Sequence, residues 1–308
     1  MDSPAAVRNA VQDTGRVYAV RRIHHGVAPH KDYQPLAHVP GMSVSNKVAV
    51  ITGASSGIGK ATAKRFAADG THVALLARTE SDLETVAGSI RDDGGTASVF
   101  PIDLAHREAV ETVADDIRTD IGSPDILVNS AGVGSWVTAW EADPGEVEHN
   151  TAVTAFGAYN LARQFLPTML ERNHGHIAII ESPTAHTPIP GATAYQVARY
   201  ALRGLSESLW MDLYSTDIDV TSVIPGEVNT EYFDRNENVE DRFPGTAEDL
   251  RVVEPEEVAD AVVTGIQQNK RRVYLPRKLR FTILAGRIAP NRVDERTANS
   301  SWQPTTGE

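Results

Sequence analysis

Tyr195 and Arg199 are the first pair in this chain whose types and spacing could move a proton. Tyr195 opens a helical run carried by Ala198, Ala201, Leu202, Leu205 and Leu209, and a residue four positions on shares its helix face. An unperturbed phenol titrates near about 10 and is a poor base at neutral pH. A fixed cation beside it stabilises the phenolate and poises the group for proton transfer. A guanidinium supplies that charge but no transferable proton, because it stays ionised at any working pH. The bland alternative is a buried core tyrosine.

The second concentration of chemistry is Gly53-Ala54-Ser55-Ser56-Gly57-Ile58-Gly59. An apolar, β-branched run ends in this glycine-rich turn, and an alanine-rich helical pattern follows from Ala61 to Ala68. Strand, turn and helix in that order bring unpaired N–H groups and the positive end of a helix dipole to the strand's tip, which favours a phosphate. Glycine at 53, 57 and 59 removes Cβ atoms where a dinucleotide must pass close and where the helix must pack on the sheet. The alternative is a tight strand–helix turn with no ligand.

The elements that must position these residues read as alternating strands and helices. Thr71–Ala77, Ala97–Ile102, Asp125–Asn129, Gly175–Glu181, Ile218–Ile224 and Arg272–Leu275 are apolar runs of strand length. Helical patterns lie between them, including a long one over about Glu146–Arg172 and one that starts at Glu254-Pro255. Such βα alternation predicts right-handed crossovers and one parallel sheet. Arg78 follows the second strand, at the tip that faces an adenosine ribose in such folds. An arginine there suits a 2′-phosphate through a charge-assisted contact.

Composition narrows the class. The chain has 308 residues, 41% hydrophobic, with net charge −12 and pI near 5.3, which argues against a general nucleic-acid binder. It has no cysteine, so disulfides and thiolate chemistry are excluded. No run reaches the length of a membrane-spanning helix and no export signal is evident near Met1, so a cytoplasmic protein is expected. Residues 1–45 show no sustained period and read as a disordered arm; His24, His25, His30 and His38 there fit no compact metal motif. Residues 231–252 are polar and acidic, anchored by Tyr232, Phe233 and Phe243, and read as a lid or an inert excursion. Six cations crowd the last strand, and the basic, half-apolar stretch 277–289 reads as a short helix that docks on the core or a partner subunit, or touches an anionic membrane surface. The tail from about Asn291 reads as disordered.

The ordered motifs Thr52-Gly53-x-x-x-Gly57-x-Gly59, Asn129-Ser130-Ala131-Gly132, Ser182 with Tyr195 thirteen residues later, and Pro225-Gly226-Glu227-Val228-Asn229-Thr230 resemble the short-chain dehydrogenase/reductase superfamily over about residues 46–276. The resemblance implies a doubly wound, Rossmann-like α/β fold with a seven-stranded parallel sheet in the order 3-2-1-4-5-6-7. It implies an oxidoreductase that interconverts a small carbonyl and an alcohol with NADP(H), NAD(H) being the second choice. Gly53, Ser55, Ser56, Gly57, Ile58 and Gly59 would hold the pyrophosphate, Arg78 the 2′-phosphate, and Asp103 and Leu104 the adenine. Asn129, Ala131 and Gly132 would flank the ribose, and Pro225, Gly226, Val228 and Thr230 the carboxamide. Tyr195 would be the general acid or base and Ser182 would bind the substrate oxygen. Two positions depart from the family: Arg199 stands where it has lysine, and Thr154 where it has the asparagine of a proton relay. The resemblance therefore leaves a second reading, a cofactor-binding protein of little turnover that acts through binding or oligomerisation. It also implies a homodimer or homotetramer paired through the helices after strands four and five.

Overall fold

A computed structural model describes residues 41–232, 236, 238–243 and 250–303. Seven strands, β1 (Val48–Thr52), β2 (His72–Ala77), β3 (Thr96–Pro101), β4 (Ile126–Asn129), β5 (Gly175–Ile180), β6 (Ile218–Pro225) and β7 (Arg272–Leu275), form one parallel sheet in the order β3-β2-β1-β4-β5-β6-β7. The doubly wound fold read from the sequence is therefore the fold of the protein. Central strands of such a sheet are covered on both faces, which is why they read as unbroken apolar runs. Alternate residues feed two cores: Ala49, Ile51, Val73 and Leu75 pack on one side, and Val50, Ala74, Leu76 and Leu127 on the other.

Helices α1 (Gly57–Ala68), α2 (Glu80–Asp92) and α8 (Pro255–Gln267) cover the first face, and α3 (Arg107–Asp120), α5 (Gly157–Arg172) and α6 (Thr193–Asp212) the second. The helix expected over 146–172 is not continuous. It divides into α4 (Pro144–Thr151), a π-helical turn (Ala152–Phe156) and α5, and Thr154 sits inside the wide turn. A short helix α7 (Val239–Arg242) belongs to the segment read as a lid, of which 233–235, 237 and 244–249 lie outside the described residues.

Two readings of the ends need correction. The arm was expected to run to residue 45, but Val44 is fully buried, Met42 packs on the same core, and Thr71 Oγ1 donates to the Val44 carbonyl at 2.7 Å. Residues 41–45 are thus part of the domain, while 1–40 lie outside the described residues. The tail read as disordered from about Asn291 instead forms α10 (Pro290–Asn299), packed on α9 (Leu279–Ile288). A proline at its first turn and no internal glycine or proline permit that helix.

One buried group makes stability depend on pH. His176 on β5 is fully buried, and its Nε2 pairs with Thr221 Oγ1 at 2.8 Å, which donates in turn to the Lys270 carbonyl. Burial lowers its pKa to about 3, so the native imidazole is neutral where the unfolded one, near about 6.5, takes a proton. The unfolded chain then binds the extra proton, so stability falls as pH drops below about 6.5, at about 1.4 kcal/mol per pH unit, and is unaffected above it. Denaturant melts at pH 7 and pH 5 should differ by about 2 kcal/mol through this group alone. His176→Gln should remove that share; an unchanged pH slope in the variant would show that the imidazole is not the source.

Candidate active site

The tips of the parallel strands open onto one cavity of about 940 Å³. Gly53, Ser55, Ser56, Gly57, Ile58 and Gly59 line it after β1, Arg78 after β2, Asp103 and Leu104 after β3, and Ala131 and Gly132 after β4. Ser182 follows β5, Tyr195 and Arg199 come from α6, and Pro225, Gly226, Val228 and Thr230 from the end of β6 and the loop beyond. Two expected residues stand apart. Asn129 is buried behind the wall with neither side-chain atom hydrogen-bonded, and Thr154 is buried with Oγ1 accepting from Val133 N at 3.5 Å. The π-turn thus points the threonine at the backbone after β4, not into the cavity.

Each wall has a local cause. Gly59 lies so close to the Gly53 carbonyl that any Cβ would overlap it, so α1 seats directly on the tip of β1. No acidic residue occupies the first turn of α1, whose leading N–H groups have no intrahelical partners. Buried Thr52 Oγ1 accepts from Ser130 N at 3.0 Å and Ala131 N at 2.9 Å, tying the turn after β4 to β1. Asp103 serves two ends, since its Oδ1 accepts from Ala105 N at 2.9 Å while the residue also faces the cavity.

The chemistry-bearing side chains meet at the other end. The Arg199 guanidinium lies over the Tyr195 ring, with Cζ 4.8 Å from the centroid, and presses on Gly132 where a Cβ would overlap it. Arg199 is buried and its Nε has no hydrogen-bond partner. Ser182 is buried beside them, its Oγ 3.0 Å from Thr184 Oγ1 and accepting from Thr184 N. Behind it, Glu181 accepts from Ser206 Oγ and pairs with His186 Nε2 at 3.0 Å. Burial alone would raise the Glu181 pKa, but hydrogen bonds from His186, Ser206 and Ser222 outweigh it and leave the carboxylate below its usual range.

Sequence reasoning missed Tyr232 as a site residue, naming it only as an anchor. Trp136 Nε1 donates to its Oη at 3.2 Å, Tyr232 Oη donates to the Gly134 carbonyl at 3.1 Å, and its ring stands 6.1 Å from that of Tyr195. Burial, reinforced by the neighbouring Tyr195 and opposed by Arg199, holds the Tyr232 phenol well above its usual range. It is a neutral donor beside Tyr195. Its place among the aromatic residues of the polar segment 231–252 is the only sequence signal that pointed to it.

No described group of histidine and acidic side chains could hold a metal ion. A dinucleotide fits what is present: a cradle kept open by glycines, free helix N–H groups and an arginine at the far tip.

This arrangement is that of an oxidoreductase, and the sequence matches the short chain dehydrogenase family over residues 47–241. The chain belongs to that family. It is 29% identical over 253 residues to estradiol 17-beta-dehydrogenase 11 of Mus musculus, covering 81% of this chain and 82% of the relative. Among solved structures it resembles L-sorbose reductase from Gluconobacter frateurii complexed with NADPH and L-sorbose, at 31% identity and TM-score 0.67, over 76% of this chain and 96% of that one. A short chain dehydrogenase/reductase from Burkholderia phymatum in complex with NAD shares the fold at TM-score 0.73 and 24% identity, over 86% and 99% of the two chains.

The Arg199 contact yields a test that needs no substrate. Gly132 has no left-handed backbone conformation, so Gly132→Ala acts only by overlap with the guanidinium. It should destabilise by about 1–3 kcal/mol, as overpacking does. Lysine at 199 carries no planar fork, so Gly132→Ala should cost much less in an Arg199→Lys background. Additive losses in a double-mutant cycle would show that the two residues do not share this space.

Proposed function

We propose that this protein is an NADP(H)-dependent oxidoreductase that interconverts a carbonyl and an alcohol on a substrate with an apolar frame. The observation that carries the reading is one cavity that joins the glycine cradle to Ser182 and Tyr195, with the Arg199 cation against the phenol. The apolar frame follows from the wall around Tyr195, where Trp136, Ile189, Ala192 and Val239 are buried together and Tyr232 and Phe243 pack on them. Bound in the cradle, the nicotinamide cofactor supplies or takes the hydride. The rest falls to the chain. Ser182 Oγ hydrogen-bonds the substrate oxygen, and Tyr195 Oη gives that oxygen a proton in reduction or takes it in oxidation. Arg199 stabilises the charge left on the phenolate without itself losing a proton. The homodimer or homotetramer implied by the sequence finds support in Phe156, Tyr159, Val197 and Tyr200, exposed apolar residues on and beside α5 and α6.

Arg78 carries the cofactor preference. Arg78→Ala should cost NADPH about 1.5–3 kcal/mol of binding and leave NADH nearly unchanged, read by fluorescence titration of both. Equal dissociation constants for the two cofactors in the unmodified protein would end that reading.

Tyr195 carries the reaction. In a screen over aldehydes, ketones and secondary alcohols with apolar substituents, Tyr195→Phe should abolish turnover while NADPH binding stays near normal, because only the transferable proton is lost. If NADPH binds but nothing turns over in the unmodified protein or in Arg199→Lys with Thr154→Asn, the binding-protein reading takes its place.

A further inference from the structure

Helix α9 has an apolar surface on each side. Leu279 and Ile283 are buried with Ile224, and Leu250 and Tyr274 pack beside them. Phe281, Leu284 and Ile288 are 62%, 49% and 76% exposed. On a helix these three fall within about 60° of one another and opposite the buried pair. Arg277 and Lys278 precede the helix, and Arg280 and Arg287 flank the exposed stripe. None of these four cations is in an ion pair among the described residues, and no acidic residue occurs from 261 to 293 in a chain of net charge −12. The same helix gives Phe281, Thr282 and Ala285 to the wall of the cavity.

We propose that α9 seats on an anionic lipid surface, with its apolar stripe at the headgroup–acyl boundary and the four cations on lipid phosphates. No described helix is long and apolar enough to cross a membrane, so the contact is interfacial. Charge decides between lipid and a second copy of the chain. A two-fold pairing of α9 with itself would set four cations against four cations. The exposed apolar residues of α5 and α6 already offer copies a face without that repulsion. For the proposed reaction, the consequence is that the cavity lies beside the lipid and an apolar substrate can enter from it. The docking itself rests on the surface of α9 and stands apart from the catalytic reading.

Co-sedimentation of the full chain with vesicles of phosphatidylcholine alone, or of phosphatidylcholine and phosphatidylserine in equal parts, tests it. Binding should be at least about tenfold stronger to the anionic vesicles and should weaken as salt rises. Arg280→Gln with Arg287→Gln should reduce it by about thirtyfold. Leu284→Ser with Ile288→Ser should reduce it as well, with melting temperature, solution mass and NADPH affinity unchanged. Absence of binding to either vesicle, or equal binding to both, would overturn the proposal. So would a smaller solution mass in the Leu284→Ser, Ile288→Ser variant, which would show that a second copy covers the stripe. Because NADPH affinity and turnover are read separately, a failed catalytic assignment leaves the vesicle result interpretable.

Discussion

Parallel pairing of all seven strands constrains everything else in this molecule. A parallel strand cannot turn back directly, so each must be followed by a crossover, and every strand's C-terminal tip comes to the same edge. The residues immediately after β1 to β6 therefore converge although they are spread from Gly53 to Thr230. What each tip contributes is then a matter of one or two side chains. β1 brings a turn that lets α1 sit on the strand end, β2 brings a cation, and β5 brings a hydroxyl held by its own 3₁₀ turn. The network behind Ser182 shows how firmly that hydroxyl is placed. Glu181 ties the end of β5 to α6 through Ser206 and to the following loop through His186. A buried carboxylate with those partners resists displacement, because losing any one leaves a desolvated charge.

The arginine at 199 changes the site in a way that its charge alone does not reveal. A guanidinium is broader than an ammonium and packs well on aromatic faces. The space for it comes from the missing Cβ of Gly132 on one side and the flat ring of Tyr195 on the other. The cation therefore rests on the face of the ring, while the hydroxyl end is left to Tyr232 and the cavity. Burial keeps Tyr232 neutral, with its hydroxyl donating to the Gly134 carbonyl. Threonine also stands at the place that the resemblance gives to a relay asparagine. Thr154 sits in a π-turn behind Val133, and its short side chain ends at the backbone.

The parts legible in the sequence were those set by short-range pattern. Buried parallel strands announce themselves as runs such as VAVIT and HVALLA, and the glycine spacing after β1 is forced by the contact of Gly59 with Gly53. Features decided by tertiary contact were not legible. Nothing in Ala152–Phe156 marks a π-turn, since the same residues suit an α-helix. Residues 290–299 are polar enough to read as tail, yet Thr297 is buried and α10 packs on α9, so context overrides composition. Val44 is a similar case. Its carbonyl is held by a hydrogen bond donated from Thr71 Oγ1, 27 residues away.

The two ends of the cavity are built by different means, and this bears on which can change. The glycine-rich end is made of strand tips and a helix N-terminus whose positions the sheet fixes. The end around Tyr195 is assembled from segments far apart in the chain and held by side chains. Arg242 of α7 grips Glu141 with both terminal nitrogens, donates to the Gly191 carbonyl at 3.0 Å, and lies 4.4 Å over the Trp302 ring. Gly191 has a left-handed backbone, and a Cβ there would come 2.9 Å from Arg242 Cδ, so the close seat of the arginine needs glycine. Hydrogen bonds from Arg242 and Thr138 hold the Glu141 pKa at about 2, so this clasp stays ionised through any working pH. One arginine thus joins the loop after β4, the loop before α6, helix α7 and the C-terminal segment. Change in any of those four is felt by the others through a shared residue, while the cradle around Gly53 to Gly59 meets only the start of the loop after β4, at Ser130 and Ala131. The clasp thus fixes the loops beside Tyr195 by side chains, where the cradle is fixed by the backbone of the sheet.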